Sequence, residues 1–241
     1  MTEFPGRWAE GVSLVIAPVL MLAGVLLRLP YDAFFPRQLA AFAGNPALMT
    51  ASYSCFAAGN VLLWPGVLGL VRRSPGSRWV LWGGVMVMLG LFERTFHAGV
   101  SHLAFQLVSV EGVSAAQKAV ADSYGAFHVF ASLSVALFFG WIVLAVGLWR
   151  AGTLDAVRTG APGVVRAGAL GRAVALGLMA ALPIGVLKGT GVMSIVATVG
   201  LCVALVPFGV KVLREGPAPK WWAFPLALAI GAGAVVLGTL G

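Results

Sequence analysis

Charge is what this sequence has least of. Asp and Glu together number eight in 241 residues, and charged residues make up 10% of the chain against 60% hydrophobic ones. A soluble domain carries about 25% charge, so an ordinary soluble fold is excluded. Cysteine occurs twice, too rarely for a disulfide framework; Cys55 and Cys202 read as small apolar residues inside spans. Histidine occurs three times, which leaves a zinc site short of ligands at recognisable spacing. There is no Walker loop, dinucleotide fingerprint or nucleophile elbow. The last apolar run, from Trp221 onward, contains no lysine, which removes a retinal Schiff base. No metal and no cofactor is therefore expected, with a haem held between His97 and His128 as the one alternative.

What fills the chain is apolar runs of membrane-crossing length separated by short polar loops. This pattern predicts an all-α polytopic membrane protein forming a single helical domain over residues 1–241. Seven spans are expected, at 11–29, 46–71, 79–105, 119–149, 170–186, 192–212 and 221–240. No soluble domain and no cleavable leader is expected at either end. Asn45-Pro46 offers an N-cap followed by a proline at the first helical position. Ser114 and Gln117 have the spacing of a capping box. The loop at 30–45, rich in aromatics around Asp32 and Arg37, suits a short interfacial helix. Pro65, Pro183, Pro207 and Pro225 are candidate kinks. The 32 glycines point to close helix packing.

The basic residues set an expected orientation. With seven spans, eleven of the sixteen lysines and arginines fall on alternate connections, among them Arg72, Arg73, Arg78, Arg150 and Arg214. Four fall on the opposite side: Arg28, Arg37, Lys118 and Lys188. The positive-inside bias then predicts a cytoplasmic N-terminus and an external C-terminus in the cell membrane. The net charge of +8 is accounted for by these loops, so no nucleic-acid partner is expected; the partners are the bilayer and a hydrophobic small molecule.

One stretch departs from the pattern. Glu93-Arg94-Thr95-Phe96-His97 interrupts the apolar run that begins at Trp79, about 21 Å along the helix and still within a core of about 30 Å. Ionisable groups at such depth face a bundle interior and serve transport, proton transfer or ligand binding. Glu93, His97 and Ser101 share one helical face; Tyr124, His128 and Ser132 share another on the next span; Tyr53, Asn60 and Trp64 line up on the second. Three stripes on consecutive spans predict one pocket in the outer half of the bundle. Glu93, His97 and His128 are its expected catalytic groups, and Arg94, Tyr53, Asn60, Trp64, Phe96, Tyr124 and Asp122 its expected substrate contacts. The bland alternative is that Glu93 and Arg94 are structural, with Asp122 as a possible partner of Arg94 and Asn60 as a helix-packing hydrogen bonder.

These residues predict a membrane-embedded enzyme acting on an isoprenoid- or lipid-like substrate by acid/base chemistry, of cyclase or isomerase type. In size and span number the chain is similar to the small membrane-bound terpene cyclases. That likeness covers architecture only, since those enzymes pair acids from separate spans and no carboxylate lies in the fifth, sixth or seventh span here. The alternatives are a small proton-coupled transporter, exporter or resistance protein, and a haem-binding or accessory membrane subunit. No internal repeat supports a transporter, and little polar lining continues inward from Asn60.

Overall fold

A computed structural model of the chain describes residues 6–31, 35–123, 129–156, 162–182 and 191–216, with positions 225, 229, 231–233 and 236. The described residues are helical, without strands. The helices are α1 (Arg7–Leu27), α2 (Phe35–Gly44), α3 (Pro46–Arg72), α4 (Arg78–Glu111), α5 (Val113–Ser123), α6 (Leu133–Arg150), α7 (Pro162–Gly177) and α8 (Val192–Arg214). Short 3-10 turns cover Val129–Ser132, Thr153–Ala156 and Leu178–Ala180.

Five helices, α1, α3, α4, α6 and α8, are long and apolar enough to cross a membrane. Their outward faces carry exposed apolar side chains, such as Val12, Ile16 and Val19 on α1 and Trp79, Trp82 and Val85 on α4. Helices apolar on both faces belong in lipid, and the chain is a membrane protein. Five of the seven expected spans correspond to these helices. The run expected at 119–149 is divided: α5 ends at Ser123 and α6 begins at Leu133 after a 3-10 turn. The run expected at 170–186 starts earlier, at Pro162, and its α-helix gives way to a 3-10 turn at Leu178. The seventh lies almost wholly outside the described residues.

Local signals behaved unequally. Asn45 caps α3, accepting from the Leu48 N–H at 3.1 Å with Pro46 as first helical residue. The capping box at Ser114 does not form, because Gln117 instead donates to the Pro36 carbonyl on α2 at 2.9 Å.

Six helices close a ring in the order α8, α1, α3, α4, α6, α7. Lipid supplies no hydrophobic drive between helices, so close approach over small residues does the work. The α4–α6 contact shows it most clearly. A methyl group at Gly83 would lie 2.4 Å from the Leu144 nitrogen, and one at Gly90 2.4 Å from Leu137 Cβ. From the other side, methyls at Gly140 and Gly147 would lie 2.7 Å from the nitrogens of Val87 and Val80. The four contacts advance on one helix as they retreat on the other, which fixes a single antiparallel register.

Two polar devices lock α1 to its neighbours. Pro65 has no N–H to continue the α3 ladder and its ring crowds the preceding turn. The Ser13 hydroxyl enters from α1 at this point, accepting from the Gly66 N–H at 2.8 Å and donating to the Leu62 carbonyl. At the same end of α1, Glu10 is fully buried. It pairs with Arg72 at 2.8 Å and with Arg73, which reaches on to Glu215 at 2.8 Å. Burial alone would lower the Arg73 pKa, but its bonds to Glu10 and Glu215 outweigh that and hold it above the ordinary value. Arg72 and Arg73, loop charges by their place in the sequence, also hold the one carboxylate on α1.

Glu10 fits because Gly69 faces it: a methyl at Gly69 would stand 2.2 Å from Glu10 Cγ. Gly69→Ala is therefore expected to displace the carboxylate and destabilise the fold. The loss should shrink where Glu10 is already alanine. A double-mutant cycle, scored by unfolding in mixed micelles, should give a coupling of about 0.5–3 kcal/mol. Additive losses would show that the two positions do not share this space.

A second core sits beyond the ring. α4 has 34 residues, about 51 Å at helical rise, well over the thickness of a bilayer core. Its last turns carry Ala104, Phe105 and Val108 to meet Leu39 and Phe42 of α2, Met49 of α3 and Ala116 of α5. Phe42 stacks on Phe105 at 4.6 Å, and Tyr53 meets the same ring edge-on at 4.8 Å. The short helix expected in the loop at 30–45 is thus present as α2.

Candidate functional site

The α4–α6 register delivers the site. Continued one turn beyond the Gly90–Leu137 contact, it sets Glu93 opposite Ser134, whose hydroxyl donates to Glu93 Oε1 at 2.8 Å. Glu93 is buried, with 3% exposure. One turn on, His97 Nδ1 lies 3.1 Å from the same Oε1 and 3.0 Å from the Glu93 carbonyl oxygen. A carbonyl only accepts, so Nδ1 carries the proton, and the neutral ring then presents Nε2 as its acceptor. The Glu93–His97 contact is the i, i+4 pairing expected from the sequence. Ser134 went unrecognised, since nothing local marks it.

The second carboxylate oxygen is different. Oε2 is sealed from solvent and accepts no hydrogen bond; the Arg94 Nε stands 4.0 Å away, an ionic contact without a bond. Arg94 turns inward, with Nη2 buried and likewise unbonded. Asn60 of α3 donates through Nδ2 to the Leu91 carbonyl and to Thr95 Oγ1, both at 3.0 Å, while its Oδ1 is buried without a partner. Arg94 and Asn60 line one small cavity with Met21, Phe56, Leu91, Leu137, Trp141, Met179 and Leu182. The space is on the scale of about one water molecule. Three unsatisfied polar atoms thus cluster in the bundle interior, where each is costly to leave unpaired.

Of the remaining candidates, Tyr53, Trp64, Phe96 and Asp122 do not line this cavity. Tyr53 lies toward the second core, donating to Gln38 Oε1 on α2 while its ring carries the Arg28 guanidinium at 4.7 Å. Trp64 meets Phe92 edge-on at 4.4 Å, and Phe96 stacks on Phe130 at 4.6 Å. Asp122 does not approach Arg94: it is exposed on α5 and pairs with Lys118 at 2.6 Å. The acid beside Arg94 is its own neighbour, Glu93. Tyr124 and His128 lie outside the described residues. Among the described residues no group of three or more His, Cys, Asp or Glu could hold a metal ion.

Compared with models of known protein families, with curated proteins and with solved structures, the chain matches none.

Proposed function

We propose that this is a multi-pass protein of the cell membrane with seven spans and a cytoplasmic N-terminus, and that it is an enzyme moving a proton on a lipophilic, isoprenoid- or lipid-like substrate. The excess of basic residues on alternate connections supports the orientation and puts the Glu10–Arg73 cluster on the cytoplasmic side. The observation that carries the enzymatic reading is the asymmetry of Glu93: one oxygen held by Ser134 and His97, the other buried and unbonded.

Two donors at Oε1 suit an ionised carboxylate, so the resting group is a proton acceptor. The free Oε2 removes a proton from a substrate carbon and can return it at another, which is an isomerisation with no net change of atoms. Charge left on the substrate is met by Arg94. Held by Ser134, the carboxylate keeps its orientation through the cycle.

Incubation of a native membrane lipid extract with the purified protein in deuterated water tests this. The expected result is a lipid that gains deuterium at one carbon, or changes structure at constant mass, only when the protein is present. Proton-gradient-driven flux of an unaltered lipid in proteoliposomes would replace the enzyme by a transporter.

A further inference from the structure

Arg28 follows the last turn of α1 and counts, in the sequence, as an ordinary loop charge. In the structure it is 9% exposed. Its guanidinium lies over the rings of Tyr53 and Phe56, at 4.7 and 5.2 Å, and its Nε is sealed from solvent without a hydrogen bond. Ring faces attract the cation but leave its N–H edge unused. Phe56 is also a wall of the cavity that holds Arg94, so one ring lies against the Arg28 guanidinium and beside the Arg94 cavity. Of the acids among the described residues, only Glu93 stands against either arginine, and its Oε1 is already taken by Ser134 and His97. Arg94 thus has Glu93 beside it, Arg28 meets no carboxylate among the described residues, and each keeps an N–H that is sealed off and unbonded. An uncompensated charge in such surroundings is strongly unfavourable.

We propose that Arg28 and Arg94 form an oxyanion subsite around Phe56, which takes the carboxylate or phosphate head of an amphiphile. The guanidinium edge presents paired donors that match either group. As a description of substrate class this rests on the Glu93 reading above; as a binding site it does not.

The test is binding to the purified protein in uncharged detergent, with a fatty acid, an alkyl phosphate and inorganic phosphate as probes. At least one probe should bind saturably and raise the unfolding temperature of the wild type. Arg28→Gln and Arg94→Gln should each weaken that binding about tenfold or more, and Arg28→Lys should keep part of it. If either neutral variant fails to fold, the anion-dependent rise in the wild type and the Arg28→Lys comparison still decide. Tail-bearing probes that outbind inorganic phosphate put the anion on an amphiphile, and equal binding assigns the subsite to a free oxyanion. No saturable binding of any probe, or binding unchanged in both neutral variants, overturns the proposal. Glu93→Gln should still bind the anion, so loss of proton-transfer activity in that variant bears on the enzyme reading alone.

Discussion

Glu93→Gln is expected to lower turnover of the lipophilic substrate by about 10²–10⁴-fold, the usual worth of a positioned acid/base group. The substitution keeps shape and volume. Its amide oxygen can still accept from Ser134 and His97, but the atom replacing Oε2 is an NH₂ that cannot take a proton. Folding should survive, as checked by size-exclusion elution and unfolding midpoint, while kcat/KM collapses. Ser134→Ala leaves the carboxylate in place and removes only one of its two anchors, so its loss should be nearer tenfold. Turnover of Glu93→Gln within about threefold of wild type would return Glu93 and Arg94 to a structural ion pair.

The second large effect is on the fold. Gly83→Ala is expected to destabilise the protein by about 1–3 kcal/mol, the range for overpacking a tight contact. The new methyl would lie 2.4 Å from a backbone nitrogen of α6, and backbone cannot rotate aside as a side chain can. The helices must separate, and Ser134 then leaves Glu93 as well, so activity should fall with stability. Gly99→Ala is the internal control. It lies on the same helix with nothing within 4 Å of the added methyl, and the better helix propensity of alanine should leave stability equal or slightly higher. SDS titration in mixed micelles measures both. If Gly83→Ala costs no more than Gly99→Ala, the α4–α6 contact is not packed as described.

Two features set within one helix were legible in the sequence, the Ser114 capping box was not, and features set between helices were not. The Asn45 cap and the Glu93–His97 pairing depend on spacings of three and four along one chain segment, and both formed. Ser134 depends on how α4 and α6 slide past one another. That register is written in Gly83, Gly90, Gly140 and Gly147, but glycine spacing names a partner helix only once one contact is known. Arg28 and Glu10 sit near helix ends, where hydropathy expects solvent or headgroups, yet neighbouring helices bury both. The 3-10 turn before Leu133 has no signal in the sequence, because apolar composition continues through it. One unbroken span there would bring Asp122 toward the site; on α5 it is exposed and pairs with Lys118.

The hydroxyl of Ser13, set into the gap at Pro65, has a consequence for inheritance. The proline creates the opening, and the serine on another helix is what makes the opening tolerable. A variant that restored an ordinary residue at 65 would close the ladder against the hydroxyl, and one that lost the serine would leave the bend unsupported. The two positions lie 52 residues apart in the chain but constitute one unit of selection, open to change together more readily than singly.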